Sequence, residues 1–273
     1  MNKLTLLIIT TISLFSCSKS DNASSSNSST IGSGRLTKVT MTQGSVVSVD
    51  SLAYDNNGRF SAFYRKENGV SAATTSIIRN TNGVITNISN VNNILGMNLT
   101  ASSDALGRYQ RSVLTGPGYN DTIYYTYTGN KITQVISNRH ENGTYQIDKT
   151  IITYDGNDNM IKDEHFYINT TTGVSTPSKT YESTFDNKQS PYYSIFNLND
   201  YFIMIGSASP GQATDISIGQ NNVLTNRETL NNSSFSSILN IQYNYNSNNK
   251  PYVANETYTY GTVVYTTNIT FTY

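Results

Sequence analysis

Tyr265-Thr266-Thr267-Asn268-Ile269-Thr270-Phe271-Thr272-Tyr273 alternates without a break, with Tyr265, Thr267, Ile269, Phe271 and Tyr273 on one side and Thr266, Asn268, Thr270 and Thr272 on the other. A period of two is what an antiparallel strand shows when one face is buried and the other meets water. Leu239, Ile241, Tyr243 and Tyr245 against Asn240, Gln242 and Asn244 repeat the pattern, as do Ile123, Tyr125 and Tyr127. No apolar spacing of helical period runs to a useful length, so the sequence predicts an all-β domain.

Working outward from these strands, turn signals recur. Clusters of Gly and Asn stand before strand-like runs at Gly34-Arg35-Leu36, Asn57-Gly58-Arg59-Phe60, Asn82-Gly83-Val84-Ile85, Leu106-Gly107-Arg108-Tyr109 and Gly129-Asn130-Lys131-Ile132. They continue at Asp158-Asn159-Met160-Ile161, Asp186-Asn187-Lys188, Asn221-Asn222-Val223-Leu224 and Asn248-Asn249-Lys250. With Gly34, Gly58, Gly83, Gly107, Asn130, Asp158, Asn187, Asn221 and Asn249 as anchors, the steps are 24, 25, 24, 23, 28, 29, 34 and 28 residues. Between them lie second turn signals such as Asn68-Gly69, Pro117-Gly118, Asn142-Gly143, Thr172-Gly173, Asn231-Asn232 and Gly261. Asn-Gly accepts φ > 0 at both central positions and suits tight hairpin turns. Each repeat therefore predicts one hairpin, and the whole predicts an antiparallel up-and-down meander of about eighteen strands, curled or barrel-like so that its apolar face is hidden. The stretch from Tyr192 to Gly211 breaks the rhythm; its apolar run Tyr201-Phe202-Ile203-Met204-Ile205 reads either as a central strand or as a plug across the sheet.

Three units carry a further likeness. Tyr54-Asp55-Asn56-Asn57-Gly58-Arg59-Phe60, Asp104-Ala105-Leu106-Gly107-Arg108 and Tyr154-Asp155-Gly156-Asn157 resemble the YD (RHS-like) repeats of bacterial surface and shell-forming proteins, whose core is Tyr-Asp-x-x-Gly-Arg-Leu. The chain is also similar to families of unknown function among Bacteroidota lipoproteins, some of them porin-like in their long meandering sheet. The resemblance implies a fold and no particular activity.

The start of the chain has the three-part layout of a secretory signal peptide: Lys3, an apolar run from Leu4 to Phe15, and the small residue Ser16 before Cys17. Twelve residues are too few to span a bilayer, which takes about 20. Leu14-Phe15-Ser16-Cys17 resembles the lipobox of bacterial lipoproteins, which implies cleavage between Ser16 and Cys17 and lipid on Cys17. Cys17 is the only cysteine among 273 residues, which leaves it no disulfide partner in the chain. Ser and Asn dominate from Ser18 to Gly34, a composition unable to bury enough surface to offset chain entropy. The expected organisation is a signal peptide at 1–16, a lipidated cysteine and flexible tether at 17–34, and the hairpin-repeat domain at 35–273.

Chemistry is sparse by comparison. Lys plus Arg equals Asp plus Glu at 18 each, and 13% of residues are charged, so no basic field exists for nucleic acid. His140 falls in an expected turn and His165 in an expected strand, neither with a convergent partner in the local sequence. No nucleophile elbow, phosphate loop or zinc spacing is present. Asp155-Gly156-Asn157-Asp158-Asn159 begins like an EF-hand loop, but Met160 stands where Gly is required and Phe166 where Glu is required. No catalytic residue, cofactor or metal is therefore expected. The 21 tyrosines suit half-buried strand faces, or a glycan-binding surface if they form a stripe. Asp50-Ser51-Leu52 and Asp121-Thr122-Ile123 are similar to the Asp-Ser/Thr-aliphatic acceptor for O-glycosylation in Bacteroidota, which marks Ser51 and Thr122.

The composite expectation is a non-enzymatic, lipid-anchored protein of the cell envelope, in the outer membrane on its periplasmic face or at the cell surface. Its partners would be the membrane, through the anchor, and a glycan or an envelope protein. Two alternatives stand beside it: a carbohydrate-active enzyme or glycan-binding accessory protein, and an integral outer-membrane β-barrel.

Overall fold

The computed structural model describes residues 35–90, 96–193, 195, 198–205, 219–231, 233 and 236–273. The expected signal peptide, Ser16, Cys17 and the tether lie outside the described residues.

The chain forms β1 (Lys38–Gln43), β2 (Val46–Tyr54), β3 (Phe60–Glu67), β4 (Val70–Arg79), β5 (Ile85–Ser89), β6 (Asn98–Ser103), β7 (Tyr109–Gly116) and β8 (Tyr119–Thr128). It continues through β9 (Lys131–Glu141), β10 (Thr144–Tyr154), β11 (Met160–Ile168), β12 (Ser175–Gln189), the helix α1 (Leu198–Ile205), β13 (Asn221–Leu230), β14 (Ser236–Tyr245), β15 (Pro251–Tyr260) and β16 (Val263–Thr272). Every strand pairs antiparallel with its sequence neighbour, and β1 also pairs with β16, Val39 opposite Phe271 and Met41 opposite Ile269. The meander is thus a closed barrel of sixteen strands, and closure removes both sheet edges.

Sixteen replaces the eighteen expected from nine anchors, for a physical reason. Asp186-Asn187 and Asn221-Asn222 are the two sides of one connection, with Asn222 Nδ2 donating to Asp186 Oδ2 at 3.2 Å. The 34-residue step between them is an insertion carrying α1. The run at Tyr201–Ile205 is helical, so the plug reading holds and the strand reading is corrected. Asp200 lies in the first turn, where a carboxylate favours the helix dipole. Ile203, three residues on and on the same face, is fully buried. The strands β8, β9, β10 and β13 to β16 have 10 or 11 residues.

The repeat has one chemical basis. At one end of the barrel, Asp55 Oδ1 accepts the N–H of Asn57 at 2.9 Å and of Arg59 at 2.8 Å, while Arg59 Nε donates to Asp55 Oδ2 at 2.8 Å. Asp104 holds Leu106 and Arg108 in the same way, and Asp155 holds Asn157 and Asn159. Asn80 and Asn246 repeat the backbone bonds with an amide oxygen. The fourth residue of each turn sits at φ between +58° and +85° (Gly58, Gly83, Gly107, Asp158, Asn249), which is why Gly, Asn or Asp recurs there. Neighbouring repeats are then clipped together. Arg35 lies over the Tyr54 ring at 5.5 Å, Arg108 over Tyr127 at 4.9 Å, Lys131 over Tyr154 at 5.5 Å and Lys250 over Tyr273 at 4.9 Å. The Tyr54, Tyr154 and Tyr273 hydroxyls donate to the carbonyls of Leu36, Ile132 and Pro251.

This turn end is apolar within. Leu36, Phe60, Ile85, Ile132, Val223 and Phe271 are buried there, and Phe202 and Ile203 of α1 join the same core. Arg79 Nη1 donates to Asp200 Oδ2 at 2.7 Å, Tyr109 donates to Asp200 Oδ1 at 2.5 Å, and Asn199 Nδ2 reaches the Asn130 carbonyl at 3.0 Å. The helix is therefore pinned to β4, β7 and the β8–β9 turn. On the outer wall the alternate positions read Asn98, Thr100 and Ser102 on β6, Asn240, Gln242 and Asn244 on β14, and Thr266, Asn268, Thr270 and Thr272 on β16. These three rows are polar outside, whereas Ile78, Tyr124, Tyr167 and Tyr252 are exposed on other strands.

Candidate functional site

The inward face changes character toward the opposite end, where the hairpin turns lie. On the inward parity, Asp121 stands two residues before Ile123 of β8, Ser137 and Arg139 two and four after Val135 of β9, and Thr150 and Asp148 two and four before Ile152 of β10. The register sets Asp121 opposite Arg139 and Asp148 opposite Ser137, so strand pairing alone gathers the ionisable groups into one band.

Ser137 Oγ donates to both oxygens of Asp121, at 2.8 and 2.7 Å. Arg139 Nη2 lies 3.4 Å from Asp148 Oδ2, and Gln146 Nε2 donates to Asp148 Oδ1 at 2.6 Å. On β11, His165 Nδ1 meets Thr150 Oγ1 at 3.1 Å and Nε2 meets Asp163 Oδ2 at 2.7 Å, with the Tyr181 ring edge-on at 5.5 Å. Across β12 and β13, Lys179 Nζ donates to the Tyr181 hydroxyl at 2.9 Å, and that hydroxyl donates to Glu228 Oε1 at 2.7 Å. Ser237 of β14 donates to Glu228 Oε2 at 3.1 Å.

Burial sets the electrostatics. It pushes the Asp121 carboxyl above the ordinary carboxylate range, against the lowering pull of Ser137 and Arg139. It holds the Lys179 ammonium below its ordinary value, although Glu228, Asp163 and Asp148 pull the other way. Tyr119 at the β8 entrance is pushed up to about 12 by burial and by Asp121. Four carboxylates, Asp121, Asp148, Asp163 and Glu228, share the band with two fixed cations, Arg139 and Lys179. Solvent reaches this end: the Lys179, Arg139 and Asp148 side chains keep 23%, 18% and 14% of their exposure. A cleft of about 270 Å³ opens there between Arg139, Glu141, Asn142, Thr144 and Gln146. A shallower groove of about 470 Å³ follows the β11 bulge, lined by Glu164, His165, Phe166, Thr176, Pro177, Thr180 and Asn231.

Sequence-derived candidates are scattered. His140 is in β9, not in a turn; it is exposed, with its ring centroid 4.5 Å from that of Tyr145 and the two planes inclined by 31°. His165 does have partners, which strand register brings from β10 and from two residues back, so the reading of no convergent partner is corrected. Asp155 to Asn159 is an Asx turn with its carboxylate consumed by local N–H groups. No group of three or more metal-ligating side chains occurs among the described residues. Ser51 is exposed and Thr122 half-exposed at mid-strand, while their neighbours Asp50 and Asp121 are engaged inward by Arg65 and Ser137. The polar band itself escaped the sequence reading, although its signal was present as ionisable residues on the apolar parity of β8, β9 and β12.

No family model and no curated protein matches the chain. Among solved structures it is similar to a porin-like protein from Bacteroides vulgatus, at 14% identity and a TM-score of 0.56, covering 88% of this chain and 98% of that one. A porin-like protein from Bacteroides uniformis is similar at 12% identity and a TM-score of 0.54, covering 87% and 96%. At that identity the likeness is one of fold alone.

Proposed function

We propose that the chain is a non-enzymatic lipoprotein of the cell envelope, anchored in the outer membrane through Cys17, whose barrel serves a binding or scaffold role from its polar end. The observation that carries this reading is the polarity of the outer rows of β6, β14 and β16, made of Thr, Asn, Ser and Gln, beside apolar side chains and a helical plug within one end. A wall of that kind needs no bilayer, so the membrane attachment would come from the lipobox-like Leu14-Phe15-Ser16-Cys17. The shared Asx turns with their stacked Arg or Lys support the likeness to YD-type repeats. The outward, exposed position of Ser51 fits its reading as a glycan acceptor better than the half-exposed position of Thr122 does. In the Cys17→Ala variant, metabolic labelling with a palmitate analogue should disappear and the precursor should stay uncleaved or mislocalised; unchanged labelling and membrane partition would end the lipoprotein reading.

A second reading, the integral outer-membrane barrel, draws support from closure and from strands long enough to cross a bilayer at a tilt. It requires an outward apolar band, and the outer rows of β6, β14 and β16 oppose that. An enzyme reading would start from Thr150, His165 and Asp163. Thr150 and His165 are each 5% exposed, which leaves a substrate no approach to the hydroxyl, and the carboxylate holds Nε2 while the hydroxyl holds Nδ1. Turnover across a hydrolase substrate panel that vanished in His165→Ala would reverse this assignment.

A further inference from the structure

We infer that the groove along the β11 bulge, at the hairpin end, is a binding site for a neutral saccharide; this rests on the binding role proposed above and names its ligand class. Its volume of about 470 Å³ lies within the roughly 300–1,000 Å³ of small-molecule sites and has room for a short oligosaccharide. The register sets Glu164 opposite Thr180 and Phe166 opposite Pro177, with a shift between His165 and Phe166 where β12 gains one residue, Ser178. Ser178 ties the walls of the groove together: its hydroxyl donates to the His165 carbonyl at 3.1 Å, and its own carbonyl accepts the Asn231 N–H at 2.9 Å. A bulge held from both sides is a built feature that re-aims the side chains beside it.

The lining side chains have the composition of a sugar site. Phe166 and Pro177 supply two ring surfaces for the C–H faces of a pyranose, and Thr176, Thr180, Asn231 and Glu164 surround them with polar groups. Among the described residues, no hydrogen bond engages the Thr176 and Thr180 hydroxyls or the Asn231 carboxamide. Each of these three groups both donates and accepts, as sugar hydroxyls do. Glu164 pairs with Lys162 at 3.0 Å, with both side chains 36% exposed, and the roughly four acceptor positions of a carboxylate leave room for a ligand hydroxyl beside that ammonium.

Other ligand classes are disfavoured by the same residues. A peptide that binds by strand addition needs backbone donors along an open edge; β12 pairs with β13 only from Lys179 onward, and Pro177 brings no N–H to the stretch before it. A phosphate or a uronate needs a cation in the groove. The ionisable side chains that line it are Glu164 and His165, and His165 is held by Thr150 and Asp163. The neighbouring cations are engaged as well, Lys149 over the Phe166 ring at 4.6 Å and Lys162 with Glu164. A purely apolar ligand would desolvate the two hydroxyls and the carboxamide without giving them partners.

The test is isothermal titration of the full chain, in micelles of a detergent without a sugar headgroup, with maltohexaose, cellohexaose, mannohexaose and chitohexaose, and with a galacturonate oligomer as the acidic counter-probe. At least one neutral hexasaccharide should bind with Kd below about 10 mM, and the galacturonate should not bind. The Thr180→Val, Asn231→Ala double variant should weaken that binding about tenfold or more, the effect of losing two hydrogen-bonding groups, while Thr270→Val on the outer row of β16 should stay within about twofold. Thr176→Val, at the exposed margin of the groove, gives a second reading with an expected loss of about threefold. The site is overturned if none of the four neutral sugars binds to protein whose circular dichroism shows the folded barrel, if the double variant binds as tightly as the parent, or if the galacturonate alone binds. Equal binding by the double variant would put the sugar elsewhere on the barrel and leave the binding role standing, and palmitate labelling tests the lipoprotein reading separately.

Discussion

The two ends of this barrel are built from the same repeat and differ in almost every physical respect. At the turn end each Asx side chain closes its own turn, each Tyr clips the next repeat, and α1 seals an apolar interior. At the hairpin end the inward positions carry Asp121, Arg139, Asp148, His165, Lys179 and Glu228, joined by hydrogen bonds and reached by water. The difference teaches that the first end maintains the fold and the second is free to vary its chemistry, since only the first depends on residues fixed by the repeat.

The largest effect should come from unpinning the plug. Asp200→Ala leaves the Arg79 guanidinium, whose side chain is 8% exposed, without its carboxylate, and should cost about 3–5 kcal/mol in chemical denaturation. The Arg79→Met, Asp200→Leu double variant should recover much of that loss, because removing both charges removes the uncompensated one. Next, Ile85→Ala in the fully buried turn-end core should cost about 2–5 kcal/mol, whereas Thr270→Ala on the outer wall should stay within about 0.5 kcal/mol. Equal losses at these two sites would erase the contrast between interior and exterior.

Acid sharpens the comparison further. The Arg108 N–H and guanidinium hold Asp104 below the ordinary carboxylate range; for Asp55 and Asp155 burial opposes the shift, and hydrogen bonds from Arg59 and from Asn159 outweigh it. A lowered folded-state pKa means stability present above the unfolded value of about 4 and lost as pH falls through the folded value. Asp121, with its raised pKa, acts in the opposite sense: its contribution is present at low pH and fades as pH rises. The denaturation midpoint should therefore drop below about pH 4, and replacing Asp55, Asp104 and Asp155 by Asn should flatten that drop. Asn80 and Asn246 already form the same turn without a titrating group. The smallest effect belongs to the polar end: Asp148→Asn should cost about 1 kcal/mol or less, since Arg139 approaches only to 3.4 Å in a partly solvated setting.

Much of the turn end was legible in the sequence because its information is local. A two-residue period, a Gly or Asn at φ > 0 and an Asp four residues before an Arg are all contained within one hairpin. Where the sequence misled, the cause was non-local. Asn187 and Asn221 looked like two turns and are one junction, since only the fold brings Asn222 to Asp186. Tyr201–Ile205 is too short for its period to separate helix from strand. The polar band was invisible as a site because its members come from β8 through β14, and the partnership of His165 with Thr150 depends on a register that no local pattern specifies.

The central claim is that the wall is built for water, and detergent-free refolding of Arg35–Tyr273 tests it most directly. The account predicts a soluble protein with an antiparallel β signature in circular dichroism and a cooperative unfolding transition. A chain that folds only when detergent is supplied would contradict it and would assign the barrel to the bilayer.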